Sequence, residues 1–387
     1  MLLTIVVFLV ILSVLVLVHE SGHFLVGKLS GMGVEEFALG LPFTKPLWSK
    51  KLADGMKLSF YPVLFGGFVK LLGEEPDSAE ASPGKGPVKG KYFYKSNVWQ
   101  RIAVVVAGVT MNLFLAVAAF YLFLGLSNFR LLVPKLADYN FISPHRNLVV
   151  ISAVEDNTPA QTAGLSSGEV IVSADNTGFS GLVDFQSFVK KHAGEPIKLT
   201  LSNLGLTSQR QVTVTPRKNP PAGQGALGIG IAEAYDLEFK TPGQKLTSGL
   251  SYAADMFIYN LRVLGSFISL AFKTGNTAPL SESVSGPVGI GAAVGDILQL
   301  PWNEAVKQLI NLLGLLSLSL AFMNILPIPA LDGGRLAFLI VEAVTNKKLA
   351  AKYENLINQA GMIILLGLIL LISFNDIVKI VAPFFGK

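Results

Sequence analysis

The sequence of 387 residues contains no cysteine and only four histidines. The absence of cysteine excludes disulfides, and it requires that any bound metal ion be held by histidine, aspartate or glutamate. Charged residues make up only 15% of the chain, whereas soluble proteins average about 25%. The net charge of +5 comes without a basic helix or a repeat of basic and aromatic residues, so no nucleic-acid partner is predicted. The composition therefore indicates a membrane protein, although the middle third of the chain has the composition of a soluble domain.

Charge is also missing from residues 2–18, an apolar run that ends in the motif HESGH at residues 19–23. The run lacks a basic leading segment and a small-residue cleavage site, which predicts a retained span rather than a cleaved signal peptide. On a helix, His19 and His23 lie one turn apart on the same face and can share one zinc ion, with Glu20 beside them as a general base. Ionisable groups are costly at membrane depth. Three of them at this spacing predict a zinc hydrolase site inside the bilayer.

Four apolar runs are long enough to cross a bilayer. The predicted transmembrane helices lie in residues 1–27, 99–127, 304–334 and 357–385. A further stretch, about Leu250–Phe272, carries Asp255 and Arg262 between apolar residues at helical spacing. It predicts an amphipathic helix on the membrane within the region 219–303, with a fifth span as the alternative.

Lysine and arginine are concentrated in the segments 28–101 and 335–352, and loops of this kind face the cytoplasm. The segment 127–306 and both termini are then outside, and the first and third spans run in the same direction. His19 and Asp332 each lie about 25–35 Å along their helices. Two candidate metal-binding elements are therefore predicted at a similar depth, near the cytoplasmic end of the membrane.

A catalytic zinc ion usually has three protein ligands, and Asp332 in NILPIPALDGGR is the best-placed candidate for the third. Pro327 and Pro329 break the helix before it, and the Gly-Gly pair after it lets the backbone approach closely. The alternative for Asp332 is an N-cap of the following helix. Topology argues against four other candidates: His145, His192, Glu342 and Asp376.

The two polar regions have distinct patterns. Residues 28–98 form a predicted cytoplasmic loop, in which Lys57–Gly73 has short apolar runs broken by a proline and a Gly-Gly pair. This pattern predicts a β-hairpin that lies against the membrane. Residues 147–218 contain the strand-like runs LVVISAV, EVIVSAD, PIKLTLSNL and QRQVTVTPR and two short helical runs. They predict an α+β domain outside the membrane.

HESGH in the first span, NILPIPALDGG after the third and the β-rich insert between spans two and three together resemble a bacterial site-2 protease. The closest type is the regulator-of-sigma-E protease, here with a single PDZ domain. The resemblance covers nearly the whole chain. It implies a multi-span α-helical membrane protein with four transmembrane helices, a membrane-associated β-hairpin and an inserted α+β PDZ-like domain.

The resemblance also implies a role for individual residues. His19, His23 and Asp332 would bind Zn²⁺, and Glu20 would be the catalytic base. FGGFVKLLGE is similar to the family segment that receives the substrate as an added strand. The implied substrate-binding residues are Asn324, Pro327, Pro329, Gly66, Gly67 and Phe68.

The implied activity is that of an intramembrane zinc metalloendopeptidase of the bacterial inner (cytoplasmic) membrane. Its substrates would be single-pass membrane proteins, such as anti-sigma factors or remnant signal peptides, cleaved within their transmembrane segments. The alternative is a non-proteolytic membrane PDZ scaffold with a structural metal site, against which the general base Glu20 argues. The chain departs from the family pattern at AGVTMN, where Val109 occupies the usual proline position before Asn112.

Overall fold

The computed structural model describes residues 2–74, 88–206, 208–276, 278–347 and 351–381. The chain divides into two units, one made of Met1–Phe123 and Leu270–Lys387 and the other of Leu124–Ser269. Within the described ranges, five helices are long and apolar enough to cross a membrane. The chain is therefore a multi-pass membrane protein.

The secondary structure is named in chain order. The helices are α1 (Leu2–Leu29), α2 (Val98–Leu126), α3 (Pro159–Thr162), α4 (Leu182–Lys191), α5 (Pro242–Thr274), α6 (Ala278–Ser283), α7 (Pro287–Ile297), α8 (Trp302–Ile325), α9 (Asp332–Thr345) and α10 (Ala351–Val381). The strands are β1 (Val34–Leu41), β2 (Trp48–Lys51), β3 (Lys57–Phe60), β4 (Val63–Leu71), β5 (Arg130–Pro134), β6 (His145–Val154), β7 (Val170–Ala174), β8 (Ile197–Ser202), β9 (Gln209–Val214) and β10 (Ile229–Glu238).

Helices α1, α2, α8 and α10 cover the four predicted spans. The third helix is shorter than the predicted range 304–334, because α8 ends at Ile325, Leu326 is extended and Pro327 cannot continue the helix. The LDG motif therefore begins a separate helix, α9. Residues 382–385 of the predicted fourth span lie outside the described residues. The fifth helix of spanning length is α5, which contains the stretch predicted to be amphipathic.

The first unit contains a four-stranded sheet in the order β2-β3-β1-β4. The predicted hairpin at Lys57–Gly73 is wrong in its pairing, since β3 and β4 do not pair with each other. Strand β1 lies between them, parallel to β3 and antiparallel to β4. The connection Tyr61-Pro62 passes the end of β1, where Tyr61 N–H donates to Leu39 O. Gly40 has a φ of 92° there, and a side chain on it would collide with the Tyr61 carbonyl oxygen at 2.7 Å.

The second unit is built on a six-stranded antiparallel sheet in the order β5-β10-β6-β7-β8-β9. The four strand-like runs and two helical runs in residues 147–218 form β6, β7, β8, β9, α3 and α4. Two more strands, β5 and β10, come from outside that range, and β10 lies between β5 and β6. The buried core includes Ile151, Ile171, Phe185, Val189, Ile197, Leu199 and Leu201.

The one acidic residue of helix α5 is buried inside the second unit. Asp255 is fully buried, and its carboxylate accepts hydrogen bonds from the Tyr139 hydroxyl, the Ile142 N–H and the Ser143 N–H at 2.7–3.1 Å. Three donors satisfy a buried carboxylate without any contact with water. The buried positions of α5 recur at helical spacing, which gives the helix one face that packs against protein and one that does not.

Helix α7 is held at its first turn by α10. The buried Asp376 accepts hydrogen bonds from the Gly286 and Gly289 N–H groups at 2.9 and 2.8 Å. Lys379, one turn later, donates to the Ser281 carbonyl oxygen. The two bonds to Asp376 supply an acceptor for N–H groups at the start of α7, where intrahelical partners are missing. Asp376 therefore has a structural role, and it does not belong to the metal-binding group found among the described residues.

Candidate metal centre

Two imidazoles from α1 and one carboxylate from the start of α9 converge in the first unit. His19 Nε2 and His23 Nε2 lie 3.1 Å apart. Asp332 Oδ2 lies 3.0 Å from His19 Nε2 and 3.3 Å from His23 Nε2. In the described part of the chain, this is the only group of three or more such side chains that could hold a metal ion.

The triangle formed by these three atoms fits a zinc ion. Ligand atoms about 2.0–2.1 Å from a tetrahedral zinc ion are separated from one another by about 3.3 Å. The three measured separations, 3.0–3.3 Å, are close to this value. The side chains are 13–17% exposed, which leaves limited access for a fourth ligand. The donor set has the composition and geometry of a catalytic zinc site with one open position.

Helix α2 packs against the HESGH turn of α1 at very short range. A side chain on Gly22 would lie 2.7 Å from the Ala107 carbonyl carbon, so only glycine allows the two backbones to approach this closely. A side chain on Gly108 would in turn collide with the ring of His23. Val104 of the same helix accepts a hydrogen bond from His23 Nδ1 at 2.8 Å. This bond places the proton on Nδ1 and leaves Nε2 free to bind a metal ion.

The break between α8 and α9 brings Asp332 to the histidines. Asp332 is the first residue of α9, and the N-cap is Leu331, which makes no side-chain cap. The alternative interpretation of Asp332 as the N-cap is therefore wrong. A side chain on Gly333 would lie 2.6 Å from the carbonyl carbon of Leu326. The glycine after Asp332 thus permits the tight turn that returns the chain toward α1.

Glu20 lies in the wall of a cavity of about 200 Å³ that also contains the three metal-binding candidates. Strand β4 contributes Phe68 and Val69 to the same wall. An ion pair between Arg335 and Glu74 lies at the cavity as well. The cavity therefore brings a carboxylate, a strand edge and the candidate metal ligands together.

Several predicted site residues are placed elsewhere. Among the described residues that line the cavity, Phe68 is present, but five of the predicted substrate-binding residues are not: Gly66, Gly67, Asn324, Pro327 and Pro329. A side chain on Gly67 would lie 2.8 Å from the Ala38 carbonyl oxygen and 3.1 Å from Val16, so glycine is needed for the close packing there. Asn324 is half-buried in the last turn of α8.

The other metal-ligand candidates are accounted for by different contacts. His145 Nδ1 bonds the Ser143 carbonyl oxygen, and His192 Nδ1 bonds the Phe188 carbonyl oxygen. Glu342 forms an ion pair with Arg101. None of these side chains belongs to the metal-binding group found among the described residues.

The sequence matches known proteins over nearly its whole length. The sequence model of peptidase family M50 matches residues 7–368. The chain belongs to peptidase family M50. It is 32% identical over 371 residues to a candidate zinc metalloprotease of Clostridium perfringens. That alignment covers 95% of this chain and 96% of the relative. It is 29% identical over 402 residues to the metalloprotease MmpA of Caulobacter vibrioides, covering 95% of this chain and 93% of that protein.

This M50 peptidase is a zinc metalloprotease, and the predicted resemblance to a site-2 protease is confirmed. A third relative, a candidate zinc metalloprotease of Agrobacterium fabrum, is 27% identical over 394 residues, or 97% of this chain and 96% of that protein. The predicted cofactor, zinc, is confirmed with the family.

Proposed function

We propose that this M50 peptidase is an intramembrane zinc metalloendopeptidase that cleaves the transmembrane segments of single-pass membrane proteins. His19, His23 and Asp332 would hold the zinc ion, and Glu20 is the general base. The observation that carries this proposal is the triangle of ligand atoms at 3.0–3.3 Å, in one cavity with Glu20. Anti-sigma factors and remnant signal peptides are the proposed substrates.

Different side chains of this protein carry out the separate steps of peptide hydrolysis. When bound, zinc supplies a Lewis acid for the peptide carbonyl and for the attacking water. The Glu20 carboxylate accepts a proton from that water and delivers it to the leaving amide nitrogen. His19, His23 and Asp332 fix the position at which this occurs. The three ligand side chains are only 13–17% exposed, and low exposure to water strengthens electrostatic interactions.

Strand β4 supports a mode of substrate binding. Its one strand neighbour in the described chain is β1, and no described strand pairs with its opposite edge. A substrate segment that adds to this edge beside Gly66, Gly67 and Phe68 is extended, and its peptide bonds are no longer enclosed in a helix. Phe68 and Val69 line the metal cavity, so such a segment passes Glu20. We propose that Asn324, Pro327 and Pro329 contact the substrate from the other side.

The metal triangle favours four spans over five. His19 lies in the second half of α1 and Asp332 follows the carboxyl-terminal end of α8, so both helices run toward the same membrane face. One span, α2, between them gives this parallel arrangement. A second crossing by α5 would reverse α8, and α7 is too short to compensate, since 11 residues extend about 17 Å across an apolar core of about 30 Å.

We also propose an orientation and a location. The lysine- and arginine-rich segments put the metal site near the cytoplasmic side of the bacterial inner membrane, and the second unit is then extracytoplasmic. We infer that its sheet is a PDZ-like domain. Strand β10 pairs with β6 from Ile229 to Leu237, whereas β5 pairs with β10 only from Ala234 onward. The resulting edge beside Ile229–Glu233 supports capture of an extended peptide, and size filtering of substrate ectodomains is the other outcome.

The experiment uses purified full-length wild type and Glu20→Gln in detergent. Zinc is measured by elemental analysis, and both proteins are incubated with a tagged single-span substrate whose products are located by mass spectrometry. We expect about one zinc ion in each protein. We expect wild type to cut inside the apolar segment and Glu20→Gln to be slower by about 100-fold or more. Glu35→Gln, which neutralises a carboxylate on β1 outside the described cavity wall, is the matched control and should remain active.

Two outcomes would contradict the proposal. Equal cleavage by wild type and Glu20→Gln would remove Glu20 from the mechanism. Wild type that holds zinc but cleaves none of several single-span substrates would favour the scaffold alternative. The ligand set is tested separately by Asp332→Ala, which should lower zinc occupancy, and unchanged occupancy would remove Asp332 from that set.

A further inference from the structure

One face of α2 lies directly behind the two histidines. Val104, Gly108 and Asn112 are spaced four residues apart, so they follow one another along that face. Gly108 is the point of closest approach, where no side chain fits between α2 and the imidazole rings. Val104 lies on one side of it and bonds His23, while Asn112 lies on the other side and contacts His19.

The two histidines have the same requirement for a partner. An imidazole that binds a metal ion through Nε2 carries its proton on Nδ1, and that N–H needs an acceptor to fix the tautomer and the ring orientation. For His23, the acceptor is the Val104 carbonyl oxygen at 2.8 Å. For His19, the group at Nδ1 is the side-chain amide of Asn112, at 3.1 Å.

The Asn112 amide can serve as that acceptor. Its nitrogen Nδ2 lies 3.1 Å from His19 Nδ1, and its oxygen Oδ1 is buried with no hydrogen-bond partner among the described residues. Rotation of the amide by about 180° exchanges these two atoms. The oxygen then takes the position next to His19 Nδ1, where it accepts a hydrogen bond from Nδ1–H.

We propose that Asn112 is a positioning residue for zinc, whose amide oxygen accepts a hydrogen bond from His19 Nδ1–H and holds Nε2 toward the metal. This inference rests on the proposed role of His19 as a ligand. Asn112 acts through His19 and does not touch the substrate. Helix α2 then provides the acceptor that orients each imidazole: the Val104 carbonyl oxygen for His23 and the Asn112 amide oxygen for His19.

The surroundings of Asn112 leave it little freedom. The residue is 0% exposed, and its backbone carbonyl oxygen accepts a hydrogen bond from the Ser317 hydroxyl of α8 at 2.7 Å. A buried amide inside an apolar helix is costly unless its polar atoms are paired. The contact with His19 gives this polar group a function that a Leu or Val at the same position could not supply.

The test measures the zinc dissociation constant of full-length protein in detergent by competition with a chelating dye. Asn112→Leu keeps the approximate shape and removes the acceptor, and Asn112→Asp keeps an acceptor oxygen. We expect Asn112→Leu to bind zinc about 10- to 100-fold more weakly and Asn112→Asp to bind it as tightly as wild type or more tightly. Ser317→Ala, which removes the hydroxyl that bonds the Asn112 backbone, is the matched control and should keep the wild-type constant.

The outcomes separate this inference from the proposed function. Wild-type affinity in Asn112→Leu, or equal losses in Asn112→Leu and Asn112→Asp, would overturn it. If Asn112→Leu does not fold, Asn112→Asp decides, since retained affinity supports an acceptor role and lost affinity contradicts it. His19→Ala is measured in parallel. If His19→Ala binds zinc like wild type, the proposed ligand set itself fails, whereas loss in His19→Ala alone refutes only the role of Asn112.

Discussion

Substitution of Gly108 by alanine should damage the metal site without unfolding the protein. The added Cβ would lie 2.6 Å from His23 Cε1 and 2.7 Å from His19 Cε1. Non-bonded carbon atoms prefer about 3.5–4.0 Å, so each ring has to retreat by roughly 1 Å. Imidazole rings can turn on their own side-chain bonds, and the helix backbone can therefore remain in place.

The displacement is large compared with what a metal ion tolerates. Metal–ligand distances are held within about 0.2 Å in well-formed sites, and a ring that moves by about 1 Å exceeds that limit several-fold. We expect Gly108→Ala to weaken zinc binding by about 10- to 100-fold, the loss seen when groups that orient ligands are removed. Turnover should fall by about 100-fold, as for a comparable misplacement of reacting groups.

Two other glycines provide the comparison. Alanine at Gly22 would lie 2.7 Å from the Ala107 carbonyl carbon and 2.9 Å from the Gly108 nitrogen. These are backbone atoms that cannot rotate away, so Gly22→Ala should lower stability by about 1–3 kcal/mol. Alanine at Gly125, also in α2, would come no closer than 3.9 Å to Phe129 and should leave zinc binding unchanged.

The assay is dye-competition titration of zinc together with thermal unfolding of each variant, followed by circular dichroism. The reasoning is refuted if Gly108→Ala binds zinc with the wild-type constant, or if Gly108→Ala and Gly125→Ala behave alike. Loss of the folded state in Gly108→Ala at a temperature where Gly22→Ala is intact would also contradict it.

Further outcomes follow from contacts away from the metal site. Asp376→Ala should lower stability by about 1–3 kcal/mol, because the Gly286 and Gly289 N–H groups lose their buried acceptor; thermal unfolding should show a smaller loss for Asp376→Asn, which keeps an oxygen. In the second unit, burial favours protonation of Asp236, but hydrogen bonds from Arg130 and Arg146 outweigh it and lower the pKa of that carboxyl. Because the folded-state pKa is below the unfolded value of about 3.9, this carboxylate stabilises the fold above that pH, and its contribution is lost as the pH falls through the folded-state pKa. Unfolding midpoints measured from pH 6 to pH 3 should fall more steeply in wild type than in Asp236→Asn, and parallel curves would contradict the sign.

Local patterns in the sequence predicted the parts of the site that depend on short spacing. His19 and His23 are four residues apart on a helix, so their shared face follows from helix geometry alone. Asp332 was predicted because few other ligands exist in a chain without cysteine, and because prolines and glycines mark a turn at a matching depth. The structure brings all three side chains together at 3.0–3.3 Å.

These local patterns did not predict which strands pair when they are distant in the sequence. Short apolar runs broken by a proline and a Gly-Gly pair favoured a hairpin, but β1 lies between β3 and β4 and comes from earlier in the chain. Strand β10 joins the second sheet between β5 and β6, and no feature of residues 147–218 indicates that a later segment is needed. Nor does the sequence give the rotation of α2 about its axis, which decides that Val104, Gly108 and Asn112 face the histidines. The glycines at positions 22 and 108 are the one signal that could have suggested so close a helix contact.

X-ray absorption at the zinc K-edge of the purified full-length protein tests the central claim most directly. The spectrum should give two imidazole nitrogens and at least one oxygen at about 2.0–2.2 Å. The imidazole signal should fall by one ligand in His19→Gln and in His23→Gln, and Asp332→Ala should change the oxygen shell. A wild-type spectrum without imidazole ligands, or one that is the same in His19→Gln, would contradict the assignment of the metal centre.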